Sequence, residues 1–259
     1  MISNKLLDKK YLRQLEESFA NAKPYRHLVI DGFLEPNVAQ DLATNFPTLE
    51  RMKTKYNGIN ERKAEHSELA SLSPYFQQLK TGLFAAEFIH CVEMITGIND
   101  LLAIDDRFGY GLHQGGNGSF LDIHIDYNLH PVVKKQRRLN LLIFLNPYWE
   151  EEWGGMLQLW NADVTECVTS IAPVFNRCVL FECNEISYHG YNQINCPDNV
   201  RRKSFYTYYF SEPISKLSFH DTIFKPLPQD TFIKKIVVTG KERVKNTVKN
   251  LLYKLGFLK

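Results

Sequence analysis

The stretch 121-LDIHIDYN-128 decides how this chain is read. It reads as a β-strand, and side chains two apart on a strand share a face. His124 and Asp126 therefore project side by side from one sheet. An imidazole and a carboxylate held together raise the question of a third partner.

The surrounding sequence is β-rich. Short apolar runs punctuated by glycine, asparagine and proline follow one another: 107-RFGYGLH-113, 119-SFLDIHI-125, 138-RLNLLIFL-145, 155-GMLQLW-160, 165-TECVTSI-171, 177-RCVLFEC-183, 186-ISYHGY-191 and 202-RKSFYTYYF-210. Eight candidate strands at such regular spacing suggest a sandwich or barrel, and eight strands in two sheets form a jelly roll. Upstream, residues 1–105 read as mostly helical with one early strand at 26-RHLVIDGFL-34. Leu7, Tyr11, Leu15 and Phe19 fall at helical spacing, Pro36 stands near a second helix start, and 74–96 carries the longest helical pattern, closed by Gly97. The loop 51-RMKTKYNGINERKAEHSE-68 is polar and basic, a solvated loop or a cover for a site. Downstream, 214–259 begins with proline-punctuated turns and ends in 241-KERVKNTVKNLLYKLGFLK-259, with Val244, Val248, Leu251 and Leu255 on one helical face. Such a stripe ordinarily buries against protein, so it is expected to pack on the β core. A basic amphipathic helix can also lie on anionic lipid, which makes 241–259 a candidate peripheral membrane contact.

With 259 residues, 44% of them hydrophobic, the chain can bury one large core. A formal charge of +2 argues against a strongly basic nucleic-acid binder. No signal peptide is read at the start, and no apolar run is long enough to span a bilayer. Five cysteines without a CxxC fit small semi-buried hydrophobes in a reducing cytosol better than a disulfide framework, so a cytoplasmic location is expected.

His189 lies in a late strand, roughly sixty residues after Asp126. An H-x-D pair with a distant histidine is the sequence form of the 2-His-1-carboxylate facial triad of non-haem Fe(II). Two neutral imidazoles and one carboxylate fill one face of an octahedral ion and leave three positions open for reaction. The pattern also has a plain structural reading, a half-buried His124 bonded to Asp126. A local trio with His130 is disfavoured because Pro131 suggests a turn leaving the site.

The block as a whole resembles the Fe(II)/2-oxoglutarate-dependent oxygenases, in their prolyl 4-hydroxylase-like branch. The resemblance rests on 108-FGYGLHQGGNGSFLDIHIDYN-128, 138-RLNLLIFLNPYWEEEWGGMLQLW-160 and 188-YHGYNQINCPDNVRRKSFYTYYFSEP-213, taken in order. It implies an α+β fold: a double-stranded β-helix (jelly roll) core over 106–213, N-terminal helices of 1–105 packed on one sheet, and a 214–259 extension with a C-terminal helix. His124, Asp126 and His189 match the iron ligands. Arg202 matches the residue that pairs with the distal carboxylate of 2-oxoglutarate, with Arg201 as its nearest rival; a guanidinium fork suits that task. Tyr110 is a candidate co-substrate contact. Asn140, a polar residue within a β core, either faces the co-substrate or satisfies a backbone group.

The activity implied is a dioxygenase that hydroxylates a C–H bond of a peptidyl, prolyl or small-molecule substrate, with Fe(II) as cofactor, 2-oxoglutarate and dioxygen as co-substrates, and room for ascorbate as reductant. Related halogenases lack the carboxylate, so Asp126 favours hydroxylation. Two other readings stand beside it: a non-catalytic jelly-roll binding module, and a membrane-surface protein acting through its C-terminal helix.

Overall fold

In a computed structural model, which describes residues 1–257, the Asp8 carboxylate accepts from the backbone N–H groups of Lys10 and Tyr11. That cap opens helix α1 (Lys9–Asn21), whose Leu12, Leu15 and Phe19 are buried. Strand β1 (His27–Asp31) and α2 (Pro36–Thr44), with proline in its first turn, follow. Next comes a hairpin of β2 (Thr54–Asn57) and β3 (Glu61–His66), in the stretch expected to be a loop. The long helical pattern is two helices, α3 (Pro74–Phe84) and α4 (Ala86–Thr96), because Ala85 adopts an extended conformation between them. Neither proline nor glycine stands at position 85 to signal that break. Gly97 closes α4 in the left-handed region, as expected.

The β block follows as β4 (Leu102–Ala103), β5 (Tyr110–Gly115), β6 (Phe120–Ile125), β7 (Gln136–Phe144), β8 (Leu157–Trp160), β9 (Cys167–Ile171), β10 (Arg177–Glu182), β11 (His189–Tyr191) and β12 (Arg202–Ser211). All eight strands expected from the sequence are present. They form one curled antiparallel sheet in the order β1-β10-β7-β12-β5-β3-β6-β11-β8-β9. β3 joins the two halves, pairing with β5 through Ala64–His66 and with β6 through Glu61 and Arg62. The unexpected hairpin is therefore the corner of the jelly roll.

Alternation along the strands separates two cores. Leu139, Leu141 and Ile143 of β7 and Phe205 and Tyr209 of β12 face the layer of α1–α4. Leu142, Phe144 and Tyr206 face inward, against Leu157, Leu159 and Ile171 from the other half of the roll. This is a jelly-roll core with N-terminal helices on one sheet.

After β12 the chain returns across the open side of the roll. Strand β13 (Ile223–Phe224) pairs with β6, setting Phe224 opposite His124. Helix α5 (Phe232–Lys254) then starts nine residues earlier than the expected 241, with Thr231 as its cap. Its apolar stripe does not pack on the core: Val244 is 67% exposed and Leu251 59%. The inward side is polar, and the last two residues of the expected helical segment lie outside the described residues.

One contact ties the N-terminal layer to the sheet. Asn176 sits at φ +59°, its Oδ1 accepts from Leu34 N–H at 2.9 Å, and its Nδ2 donates to Leu34 C=O at 2.8 Å. Leu34 is buried, so neither group has water in reserve. Asn176→Ala should lower unfolding stability by about 2–4 kcal/mol through two unpaired backbone groups and a strained turn. Urea denaturation should show a lower midpoint with an unchanged m-value.

Candidate metal centre and co-substrate cavity

β11 pairs with β6 so that His189 lies directly opposite His124, with the ring centroids 4.4 Å apart. Residues far apart in sequence thus become cross-strand neighbours. Each imidazole is held the same way. His124 Nδ1 lies 2.9 Å from the carbonyl of Asp122, and His189 Nδ1 lies 2.9 Å from that of Ser187. A carbonyl only accepts, so Nδ1 carries the proton and Nε2 keeps its lone pair. Burial, with His124 beside it, pulls the His189 pKa down to about 4, so its ring is neutral at ordinary pH.

Both lone pairs face Asp126. Its Oδ1 is 3.7 Å from His124 Nε2, and its Oδ2 is 3.8 Å from His189 Nε2. These distances are too long for hydrogen bonds. One donor atom from each residue lies within 4.8 Å of the others, and this is the one such group found among the described residues. Three converging donors, none bonded to another, fit a divalent metal better than they fit one another.

The Asp126 side chain is 12% exposed, and its partial burial opposes its charge. The Arg137 guanidinium outweighs that, holding its pKa well below the usual carboxylate range. Arg137 is itself wholly buried, with Nη1 2.7 Å from Oδ2 of Asp126. Its guanidinium is sandwiched between the rings of Tyr127 and Tyr208, with centroids at 3.4 and 3.7 Å. A β-bulge puts it there. β12 pairs Tyr209 with Leu139 but Phe210 with Arg137, so Arg138 is the extra residue and Arg137 is turned to the inner face. Asn140 adds a hydrogen bond from Nδ2 to Asp126 Oδ2 at 3.2 Å. Oδ2 is thereby engaged, and Oδ1 is the freer oxygen.

The same cavity, about 430 Å³, is lined by Arg202, Tyr206, Tyr208, His113 and Glu65. Arg202 is buried, and its Nε donates to Gly155 C=O at 2.7 Å. Tyr191 and Phe144 face its guanidinium at 4.3 and 4.9 Å. No carboxylate among the described residues comes within ion-pair distance of it, and desolvation lowers its pKa to about 10. A buried guanidinium with an incomplete set of acceptors is a seat for an anion. Gly155 makes the approach feasible. Its φ is +67°, and a Cβ there would come within 3.3 Å of Arg202 Cδ and 3.0 Å of Trp149 Cζ2. Arg201 points elsewhere, donating to the carbonyls of Asp198 and Val200 outside this cavity.

Of the two further residues expected at the co-substrate site, Tyr110 is placed elsewhere. Tyr110 is on the opposite face of β5, packed edge-on against Phe84 in the helical layer. β5 alternates, so Tyr110, Leu112 and Gln114 face outward while Gly111 and His113 face the cavity. Tyr206 takes the place beside Gly111, where a Cβ would lie 2.6 Å from its hydroxyl. Asn140 does line the cavity, but its amide holds Asp126. The rejected local ligand, His130, is buried with Nε2 near Asp106 at 3.2 Å, and its Nδ1 accepts from the amides of Val132 and Val133.

Sequence reasoning missed Arg137, Glu65 and Tyr206. Glu65 comes from the hairpin; it accepts from the Tyr206 hydroxyl and lies 3.8 Å from His113, which stacks on Tyr206 at 4.2 Å. Its alternation within 61-ERKAEH-66 was the available signal.

Residues 110–210 match the family model of the 2OG-Fe(II) oxygenase superfamily. Prolyl 3-hydroxylase OGFOD1 of Mus musculus is 22% identical over 183 residues, 69% of this chain and 31% of that protein. The chain thus spans about a third of the length of that relative. Among solved structures, a prolyl-4-hydroxylase of Pseudomonas putida superposes with a TM-score of 0.58 at 14% identity, covering 78% of this chain and 100% of the other. A prolyl hydroxylase of Trichoplax adhaerens, solved with a hypoxia inducible factor oxygen degradation domain peptide fragment, gives 0.56 at 19% identity, covering 81% and 96%. The superfamily uses Fe(II) and 2-oxoglutarate, for which this cavity holds a donor set and an anion seat. The matched core, the donor set and the shared architecture make the chain similar to the 2OG-Fe(II) oxygenase superfamily, and it has the fold of prolyl hydroxylases.

Proposed function

We propose that this chain is a 2-oxoglutarate-dependent dioxygenase that hydroxylates a C–H bond of a peptidyl, prolyl or small-molecule substrate. Each turnover would oxidatively decarboxylate 2-oxoglutarate to succinate and CO2. The observation that carries this reading is one cavity holding three open donor atoms and a buried guanidinium without a carboxylate partner. A ferrous ion bound there supplies dioxygen activation, chemistry beyond any side chain.

The rest is the work of named residues. His124, His189 and Asp126 would hold the ion, and the carbonyls of Asp122 and Ser187 keep both imidazoles aimed. Arg137 and Asn140 keep the carboxylate charged and turned. Arg202 binds the far carboxylate of the co-substrate, in a pocket whose walls of Phe144 and Tyr191 exclude water and so strengthen the pair. The β2–β3 hairpin and α5 both line the cavity, and the substrate would approach the donor atoms past them. Resemblance to prolyl hydroxylases makes prolyl peptides the first substrates to try.

Asp126→Ala should abolish substrate-coupled succinate formation and lower the iron bound per chain by metal analysis; full turnover by that variant would refute the ligand assignment. Arg202→Ala should raise the 2-oxoglutarate requirement by roughly 10–100-fold through loss of a charge-assisted pair, with Arg201→Ala close to the parent. Equal effects in succinate assays would mean that the wrong arginine has been chosen. Arg137→Met alone leaves a buried anion without its cation and should destabilise the fold by about 3–5 kcal/mol. Combining it with Asp126→Asn should restore most of that in urea melts.

A further inference from the structure

α5 is amphipathic in the reverse sense for a surface helix. Its protein-facing side is polar. Lys234 pairs with Asp122 at 2.8 Å and Asp230 at 3.1 Å, Lys249 with Asp221 at 2.7 Å, and Lys245 with Glu242 at 2.6 Å. Glu242 is only 5% exposed. Its outward side is apolar: Ile233, Val237, Val244, Val248, Leu251 and Leu255 are all exposed. At 100° per residue these six fall within one narrow sector, a stripe running the length of a helix about 35 Å long. Left in water, such a stripe is an interaction site.

Charge says what covers it. Lys241 borders the stripe on one side and Arg243 and Lys254 on the other, all exposed. The sole acidic residue in 232–257 is Glu242, which is turned inward. A second copy of the helix packed against the stripe would bring cations against cations with no acid to pair them. An anionic lipid surface offers the complement: headgroup charge for the borders and acyl chains for the stripe.

We propose that the outer face of α5 seats this protein on an anionic bilayer surface, lying in the plane of the headgroups. No helix among the described residues is long and apolar enough to cross a membrane, so the contact is peripheral. The same helix lines the cavity with Lys241 from the border of the stripe and with Glu242, Lys245 and Lys249 from its inner side, so seating would hold the cavity beside the lipid. The docking does not depend on the oxygenase reading.

The test is sedimentation of the full chain with phosphatidylcholine vesicles, with and without phosphatidylserine. Binding to the anionic vesicles should be at least roughly tenfold stronger and should weaken with salt. Val244→Asp with Leu251→Asp should abolish it, and Arg243→Glu with Lys254→Glu should remove the preference for phosphatidylserine. Unchanged thermal melts would show that both exposed pairs fold normally. Equal binding to both vesicle types, or binding unaffected by either pair, would overturn the proposal. So would a dimer in sedimentation velocity that the Val244/Leu251 pair dissolves, since a second copy would then be the occupant.

Discussion

The pairing of β11 with β6 in the register that sets His189 opposite His124 is the constraint on which the site rests. A slip of one residue would move His189 to the other face of the sheet and leave no second imidazole. Two neighbours flank that pair: Leu159 of β8 backs His189, and Phe224 of β13 occupies the far edge opposite His124, while the β11–β6 register shifts by one residue before Tyr191 meets Leu121. Several strands therefore agree on one geometry for the donor atoms. The buried carboxylate is the second constraint. An ionised Asp126 in that interior is unfavourable unless a cation meets it, and the bulge at Arg138 supplies one by turning Arg137 inward.

Much of this was legible in the sequence, for definite reasons. The eight core strands show because apolar runs alternate with turn residues. The donor trio shows because H-x-D at a strand end keeps two ligands together, even though β6 stops at Ile125 and Asp126 lies one residue beyond it. The β2–β3 hairpin was not legible because 54-TKYN-57 and 61-ERKAEH-66 are too charged to look like sheet. Their alternation serves a polar cavity, with Glu61, Lys63 and Glu65 all lining it, so the usual apolar cue is missing. Arg137 was hidden for a different reason. Simple alternation from Leu139 places it outside, and only the bulge, a tertiary feature of the β7–β12 pair, reverses that.

Tyr110 and Asn140 mark where reading residue types stops working without register. A tyrosine in the strand before the metal strand is a reasonable co-substrate ligand, but parity sends Tyr110 to the helical layer, and the longer reach of Tyr206 from β12 fills the space over Gly111. Asn140 is inside the cavity, as a buried polar residue in a β core can be. Its amide is already given to Asp126, with Oδ1 left without a hydrogen-bond partner among the described residues. Position was recoverable from alternation along β7; role required knowing which strand lay alongside.

The reversed polarity of α5 follows from the same demand for a polar chamber. The curled sheet walls the cavity on most sides, and the hairpin and α5 close the remainder. A helix in that position must offer hydrogen-bonding groups inward, so Lys245, Lys249 and Asn246 face the protein and engage Asp221, while Val238 is buried as an apolar anchor. Once one face is committed to polar groups, the apolar residues of a 23-residue helix have only the outward face left. The stripe is too regular, and its borders too uniformly cationic, for that to be leftover composition. A polar or mixed-charge outer face would have satisfied the cavity equally well and cost less in water. The outward face therefore answers a second requirement, set by what lies outside the protein.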